Sequence, residues 1–396
     1  MKALKLAFWL PAGLLLYTHV GYPAALILAT RRRGSGQTSG AHGSAGSGSA
    51  AQPVPATPPP ARRWPTVSVI IPAYAEETVI AERVRNLREL SYPPELLEII
   101  VACDGSPDAT VRRAMEAGAD VVLELPRGGK INAQDTAVRQ ARGEIVAFSD
   151  ANVRWEPDAL EALVAPFADP RVGYVCGQVR LVSDRGTNQE GLYWRYELLV
   201  RALESRLRSV TGGNGAIYAT RRESYLFVEP IMGHDLSFPF NMVKRGWLAL
   251  YAPGARASEK MVPTIEGEFQ RKRRMMSHTW PIVVRGGMLS PRGYDPVYAF
   301  MVLSHRVLRY ASPFLHLIAL GANLALLARG ARRVYALAAA LQAALVLAGA
   351  AARALPLRPL LVARYYLLTT ASLLAGLWDW LAHGTSAGWE PAEGTR

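Results

Sequence analysis

The chain has 396 residues, of which 50% are hydrophobic and 19% are charged, and its formal net charge is +13 at pH 7. This length exceeds that of one small domain and accommodates a sizeable core together with membrane segments. A basic excess is typical of proteins that contact nucleic acid, anionic lipid or phosphate-bearing ligands. The basic residues cluster beside apolar stretches and are not interleaved with aromatic residues, so we predict a membrane partner and no nucleic acid.

Residues 4–30 are nearly all apolar and are followed at once by Arg31, Arg32 and Arg33. A helix that spans a bilayer needs about 20 apolar residues. A cleaved signal peptide is the alternative, but its basic residues would precede a shorter apolar run. Because basic residues flank spans mainly on the cytoplasmic side, we predict a transmembrane anchor in a bacterial-type inner or plasma membrane, with the following domain in the cytoplasm.

Residues 31–63 are rich in Gly, Ser and Pro and predict a disordered linker. From residue 64 to residue 290, short apolar runs alternate with amphipathic stretches, the last of which is a basic interface helix. Strands are predicted at 67–71, 97–103, 121–125, 145–148, 172–176 and 216–219. Helices are predicted at 77–90, 107–117, 130–141, 157–167 and 189–208. This alternation predicts an α/β domain whose mainly parallel sheet is covered on both faces.

The C-terminal part returns to an apolar composition over residues 306–382, before a polar tail at 383–396. Three stretches, at 306–328, 334–352 and 360–381, are each about long enough to cross a bilayer. If all three cross, the arginines near residue 330 face outward, against the positive-inside bias. The alternative is that one stretch is re-entrant or lies in the interface, so two or three spans are expected.

Polar side chains of the kind that contact a nucleotide follow the first two predicted strands, and another opens a later helix. Tyr74 and Glu76 follow Pro72 at a strand end and are placed to contact a base and a ribose at a helix N-terminus. Asp104 ends the second strand and suits a sugar hydroxyl or a base imino group. Lys130 opens a helix after two glycines, without the spacing of a Walker loop, and suits a diphosphate.

Asp150 and Asn152 follow the fourth predicted strand with one residue between them. Such a pair presents two oxygen ligands from one turn. Because Mg²⁺ and Mn²⁺ prefer oxygen ligands and often share them with phosphates, this turn is a candidate cation site. Asp and Asn are also turn formers, which is the structural alternative.

Asp235, after His234, is a candidate general base, and burial would raise its pKa toward a working range. Arg271 and Arg274 lie on one face of a predicted helix and suit a diphosphate leaving group. The structural alternatives are an N-cap for Asp235, a solvated surface side chain for Lys130 and a lipid-binding basic helix for the arginines.

Taken in order, these segments resemble the inverting family 2 glycosyltransferases with a GT-A fold, in their membrane-anchored, polysaccharide-synthase-like branch. The resemblance implies an α/β, Rossmann-like mixed sheet flanked by helices, with transmembrane helices at both ends. It also implies roles for single residues: nucleotide-sugar contacts by Pro72, Tyr74, Glu76, Asp104, Lys130, Asp150, Arg271 and Arg274; metal binding by Asp150 and Asn152; acceptor contacts by Gly213, Asn214, His234 and Trp280; and catalysis by Asp235.

The sequence departs from the family pattern at four positions. Ala75 stands for the usual Asn of the first loop, and His234 stands for the acid that usually precedes the base. Asn152 stands for the second Asp of the metal motif, which leaves one carboxylate for the cation. Met275 stands for a Trp that lines the acceptor site of processive synthases, which argues against a polymerase with its own channel.

The reaction that the resemblance implies is transfer of a sugar from a nucleoside-diphosphate sugar, with UDP favoured as carrier, to a lipid or glycan hydroxyl. Mg²⁺ or Mn²⁺ is the implied cofactor, and envelope or extracellular polysaccharide or glycolipid synthesis is the implied setting. A membrane-anchored scaffold that binds nucleotide sugars without catalysis is the alternative.

Overall fold

The structure, a computed structural model, describes residues 1–38, 64–182, 190–260, 265–331 and 333–388. Its strands are β1 (Val67–Ala73), β2 (Leu97–Asp104), β3 (Val121–Leu125), β4 (Ile145–Phe148), β5 (Arg154–Trp155), β6 (Val172–Val182), β7 (Tyr218–Arg221) and β8 (Leu248–Lys260). Its α-helices are α1 (Lys2–Leu16), α2 (Tyr22–Thr38), α3 (Ile80–Arg88), α4 (Thr110–Glu116), α5 (Lys130–Gln140), α6 (Ala159–Val164), α7 (Glu190–Leu207), α8 (His234–Lys244), α9 (Ile265–Val284), α10 (Pro296–Met301), α11 (Leu308–Tyr310), α12 (Ser312–Ala328), α13 (Val334–Ala351) and α14 (Arg358–His383).

In the described part of the chain, the eight strands form one sheet in the order β3-β2-β1-β4-β7-β6-β8-β5. The strands β1, β2, β3 and β4 are parallel to their neighbours in this group, as expected from the alternation of strands and helices. Beyond β4 the directions mix, because β7 runs antiparallel to both β4 and β6. The predicted α/β mixed sheet flanked by helices is therefore confirmed.

The strand β1 shows why the sheet is covered on both faces, since all seven of its residues are buried. Side chains alternate along a strand, so Val69 and Ile71 pack in one apolar layer while Ile70 packs in the other. The helices α3 and α6 complete the first layer, and α5 and α8 complete the second. Fully burying one such side chain contributes about 1.5–3 kcal/mol.

The parallel strands bring the predicted functional loops to one edge of the sheet. The chain leaves β1 just before Tyr74, leaves β2 at Asp104 and leaves β4 just before Asp150. These three carboxyl ends are adjacent because β1 pairs with both β2 and β4. This edge is where ligands bind in open α/β sheets.

Apolar helices from both ends of the chain pack against the domain. A third apolar cluster joins Tyr22 and Leu26 of α2 to α7, α8, α9 and α14. Among the described residues, three helices are long and apolar enough to cross a membrane: Lys2–Arg32, Val334–Ala351 and Arg358–His383.

The predicted stretch 306–328 is divided in the structure rather than one straight helix. The helical segments Pro296–Tyr310 and Ser312–Ala328 are long and apolar enough to cross a membrane only when they are taken together. The two segments are bent by 63° relative to each other. Pro313 lies in the first turn of α12. Because proline has no backbone N–H, it cannot donate the hydrogen bond that would continue the preceding helix. A broken span and a re-entrant loop both agree with this bend, so the number of spans stays a prediction.

The described residues cover only part of the predicted linker and tail. The helix α2 continues to Thr38, past the predicted start of the linker at residue 31. The rest of the linker, 39–63, and the end of the tail, 389–396, lie outside the described residues. The domain boundaries at 31, 63 and 383 therefore stay predictions.

Candidate functional site

A cavity of about 540 Å³ opens at the sheet edge where the predicted loops meet. Its walls come from the strand ends, from α8 and α9, and from α14 on the side of the candidate spans. The predicted site residues that line it are Glu76, Lys130, Asp150, Asn152, Gly213, Asn214, His234, Asp235, Arg271 and Arg274. Pro72, Tyr74, Asp104 and Trp280 are not among the lining residues.

Asp104 lies beneath the loop that precedes Lys130 instead of facing the cavity. Its carboxylate is fully buried and accepts hydrogen bonds from the backbone N–H groups of Gly128 (2.6 Å) and Gly129 (3.0 Å). It also forms an ion pair with Arg127 at 3.1 Å. Since both carboxylate oxygens are engaged, Asp104 positions this loop and does not share the cavity that Asp150 and Asp235 line.

The residues predicted at the end of β1 also pack on this loop. The guanidinium carbon of Arg127 lies 3.2 Å from the centroid of the Tyr74 ring, and Pro72 is buried within the strand. Gly129 has a φ of +93°, and a Cβ atom there would lie 2.2 Å from the carbonyl oxygen of Ala387. The segment after α14 thus sits against the loop that leads into Lys130.

Lys130 and Asp150 are in direct contact inside the cavity, with the Lys130 ammonium donating to the Asp150 carboxylate. Burial lowers the pKa of Lys130, but the charge of Asp150 outweighs this effect, and the pKa is raised. The Lys130 side chain is therefore a permanent cation at the cavity floor. The alternative of a solvated surface lysine does not fit this position.

Asn152 faces a carboxylate that the sequence analysis did not identify. Its side-chain amide donates to Oε1 of Glu259, on β8, at 3.3 Å. Burial, followed by the nearby charge of Asp150, raises the pKa of Glu259. Glu259 lines the same cavity, so three oxygen-bearing side chains, those of Asp150, Asn152 and Glu259, line it.

Asp235 lies in the first turn of α8, and Gly233 is the residue at the N-cap. The N-cap alternative for Asp235 is therefore wrong. Burial raises the pKa of Asp235, and the charge of Lys130 opposes that rise. A carboxylate with a raised pKa in a cavity has the properties of a general base.

His234, next to Asp235, is buried within an aromatic cluster. Its Nδ1 atom lies 2.7 Å from the hydroxyl of Tyr218, and its ring stacks on Phe238 with centroids 4.0 Å apart. Burial lowers its pKa well below the ordinary value, so the imidazole is neutral. Within the described part of the chain, its Nε2 atom has no hydrogen-bond partner.

The glycine-rich loop at residues 211–215 holds the backbone of the candidate base. The N–H of Gly213 donates to the carbonyl of Asp235 at 2.6 Å, and Arg201 donates to the carbonyl of Gly213 at 2.9 Å. The side chain of Asn214 is committed to backbone groups of Gly177 and Ile217. Asn214 therefore shapes the loop, although it also lines the cavity.

The basic residues of α9 divide between two faces of the helix. Arg271 and Arg274 both line the cavity, but the Arg271 guanidinium already donates to both oxygens of Glu268, at 2.7 and 2.9 Å. Arg273 instead pairs with Asp379 of α14 at 2.7 Å. Trp280 donates from its indole N–H to the carbonyl of Leu373 and packs between helices. We therefore place Trp280 in the helix interface.

The chain is similar to known glycosyltransferases in sequence and in structure. Residues 68–247 match the family model described as Glycosyl transferase family 2. An N-acetylglucosaminyltransferase from Mesorhizobium japonicum is 28% identical over 243 residues, which cover 56% of this chain and 57% of that protein. A beta-monoglucosyldiacylglycerol synthase from Synechocystis is 30% identical over 175 residues, which cover 39% of this chain and 33% of that protein. The chain thus spans between a third and about half of the length of these two curated relatives.

A solved structure is similar over almost the whole chain. It is the mannosyltransferase PcManGT from Pyrobaculum calidifontis in complex with GDP-Man and Mn²⁺, with 25% identity and a TM-score of 0.68. The similarity covers 95% of this chain and 99% of that one. The expected GT-A-type architecture is therefore confirmed. Residues 68–247 therefore form a glycosyl transferase family 2 domain.

Proposed function

We propose that the protein transfers a sugar, with inversion at the anomeric carbon, from a nucleoside-diphosphate sugar to a hydroxyl group at a membrane surface. The observation that carries this proposal is one cavity that brings together Lys130, Asp150 and Asp235. A cation, a candidate metal ligand and a carboxylate of raised pKa are the groups that the reaction needs. The family match of residues 68–247 supports the same chemistry.

The chemical step assigns one task to each group. The acceptor oxygen attacks the anomeric carbon while Asp235 takes the proton of the acceptor hydroxyl. The bond from that carbon to the phosphate oxygen breaks, and its electron pair leaves with the diphosphate. Lys130 and Arg274, which both line the cavity, are proposed to stabilise the developing negative charge. The neutral His234, next to Asp235 in the chain, is proposed to contact the acceptor.

A divalent cation, Mg²⁺ or Mn²⁺, is proposed at Asp150 and Asn152. The donor set fits such an ion, because both side chains offer the oxygen atoms that hard cations prefer and both line the cavity. When bound, such an ion neutralises charge on the departing diphosphate. The similar mannosyltransferase was solved with Mn²⁺, which supports the proposal.

The proposed acceptor is a lipid or a lipid-linked glycan. The wall of the cavity opposite the sheet includes Tyr365, Thr369 and Leu373 of α14. Since α14 is long and apolar enough to cross a membrane, an acceptor that lies in the bilayer can reach the cavity along this helix. The name of the Synechocystis relative, which makes a glucosylated diacylglycerol, supports a lipid.

We also propose that the domain faces the cytoplasm of a bacterial-type plasma membrane and acts in envelope polysaccharide or glycolipid synthesis. Arg31 and Arg32 directly follow the apolar N-terminal stretch, and basic residues favour the cytoplasmic side. Nucleotide sugars are soluble anions, so a donor cavity beside basic residues on that side suits their supply.

The test is a donor panel with the full chain in lipid nanodiscs. UDP-sugars and GDP-sugars are each supplied with Mn²⁺ and either membrane lipids or water-soluble glycans, and the products are identified by mass. We expect release of one nucleoside diphosphate together with a glycosylated lipid. UDP is the carrier that the family resemblance favours, and GDP is included because the similar mannosyltransferase was solved in complex with GDP-Man. Tight donor binding without any turnover would support the scaffold alternative instead.

A glycine pair in the loop at residues 211–215 provides a further prediction. A Cβ atom on Gly213 would lie 2.0 Å from the hydroxyl of Tyr174, whereas one on Gly215 would meet nothing nearer than Lys130 Nζ at 3.8 Å. Gly213→Ala is therefore expected to displace the loop that holds Asp235 and to lower the transfer rate by at least about tenfold, since an ångström of misplacement costs up to 10²-fold. Gly215→Ala is the matched control and should keep most of the activity. Equal rates for the two variants would contradict this role of the loop.

A further inference from the structure

Glu259 is held beside the candidate cation site by two neighbouring strands. The strand β8 pairs with β5 so that Arg154 is opposite Ser258, and it pairs with β6 so that Leu181 is opposite Glu259. The turn that carries Asp150 and Asn152 leads directly into β5. The register of these pairs therefore brings Glu259 next to Asn152, and the 3.3 Å hydrogen bond between their side chains follows from it.

The carboxylate of Glu259 is compensated only from a distance, by the charges of Arg271 and Lys130. In the described ranges, no Lys, Arg or His nitrogen lies within ion-pair distance of its carboxylate, and its hydrogen bond comes from a neutral amide. The nearby ammonium of Lys130 is paired with Asp150. A carboxylate at a cavity edge beside a second carboxylate is costly unless a cation is shared between them.

We propose that Glu259 is a third oxygen ligand of the divalent cation and supplies the second carboxylate that Asn152 does not. This inference rests on the proposed function, in which the cation binds at Asp150 and Asn152. The donor set then holds two carboxylates and one amide oxygen, the kind of ligands that Mg²⁺ and Mn²⁺ prefer. The second carboxylate comes from β8, about a hundred residues further along the chain, instead of from the motif itself.

The structural alternative is that Glu259 only orients the Asn152 amide. The two explanations predict different behaviour for one pair of substitutions. If Glu259 supplies a carboxylate to the ion, Asn152→Asp should restore binding that Glu259→Gln removes, because the number of carboxylates is the same again. If Glu259 only orients the amide, Gln can still accept the same hydrogen bond and binding should hardly change.

The experiment measures Mn²⁺ binding by electron paramagnetic resonance, using the full chain in nanodiscs with and without UDP or GDP. Glu259→Gln is expected to weaken Mn²⁺ binding by at least about tenfold, the lower end of what is lost when even outer partners of a metal site are removed. The double variant Asn152→Asp with Glu259→Gln is expected to regain most of that loss. Asp150→Asn serves as the reference for loss of a ligand.

The control is Glu156→Gln on the same sheet edge. Glu156 pairs with Arg180 and Arg256 at 3.2 Å and is not among the residues that line the cavity, so its replacement should leave Mn²⁺ binding unchanged. Unchanged binding in Glu259→Gln, together with weakened binding in Asp150→Asn, would overturn this inference alone. If the wild-type protein binds no Mn²⁺, both the role of Glu259 and the proposed metal site are wrong. Sugar transfer is tested separately by the donor panel, so the two failures are distinguishable.

Discussion

Replacing Asp235 with Asn is expected to lower the rate of sugar transfer by about 10²- to 10⁴-fold while leaving donor binding intact. Asn has nearly the same shape but cannot take the proton of the acceptor hydroxyl. The backbone of Asp235 should stay in place, because its carbonyl still accepts from Gly213 at 2.6 Å. The measurement is the turnover number at saturating donor, with donor affinity determined separately by calorimetry.

The pH dependence of the wild type gives a second readout for the same residue. Burial raises the pKa of Asp235, and only the deprotonated form acts as a base. Turnover should therefore fall as the pH is lowered through that raised pKa, at a higher pH than an ordinary aspartate would give. The matched control is Asp169→Asn, since Asp169 is engaged in an ion pair with Arg171 at 2.7 Å on the surface. Near-normal turnover of the Asp235 variant would remove Asp235 from the reaction.

Continuous apolar runs predicted much of the sheet. The strands β3 and β4 have the bounds that their runs at 121–125 and 145–148 indicated. The strand β8, Leu248–Lys260, was not predicted, because Pro253 and Gly254 interrupt it after the apolar run at 248–252 and no apolar run marks its second half. Pairing with β6 and β5 holds this second half of β8 in the sheet, although its local sequence does not favour a strand. Glu259 was missed for this reason.

The position of acids at strand ends predicted part of the site. Asp150, which follows β4, lines the cavity, as the general rule for α/β sheets suggests. The same rule did not predict that Asp104 would be occupied by Gly128 and Gly129, since a strand end alone does not say which backbone groups fold back onto it. Local sequence indicates whether a residue lies at a strand end, and tertiary contacts decide whether its polar atoms are available to a ligand.

The largest part that sequence reasoning missed is a buried polar cluster between the domain and the apolar helices. Glu204 of α7 is fully buried and accepts from Tyr22 at 2.7 Å and from the backbone N–H of Thr211 at 3.0 Å. His305 lies 2.8 Å from the same carboxylate, and Arg306 donates to the Thr211 hydroxyl at 2.9 Å. These partners are up to 182 residues apart from Glu204, so no local pattern relates them.

Replacing Glu204 with Gln is expected to destabilise the folded chain by about 3–5 kcal/mol, the usual cost of removing one partner of a buried ion pair. The burial of Glu204 favours the neutral form, but the charges of His305 and Arg306 outweigh it and hold the pKa of Glu204 below its ordinary value. Gln provides no negative charge for His305 and Arg306. Its amide has a single oxygen, so it can accept from the Thr211 N–H or from the Tyr22 hydroxyl but not from both. Because Thr211 begins the loop that holds Asp235, weaker acceptor binding should accompany the loss of stability.

The measurement is the thermal unfolding midpoint of the full chain in nanodiscs, where a loss of this size corresponds to roughly 10 °C. The control is Glu116→Gln, because Glu116 forms only an exposed ion pair with Arg112 at 3.4 Å. Exposed pairs contribute about 0–1 kcal/mol, so this variant should unfold close to the wild type. If both variants unfold at the wild-type temperature, the contacts of Glu204 with α2 and with the 211–215 loop do not stabilise the packing of the apolar helices on the domain.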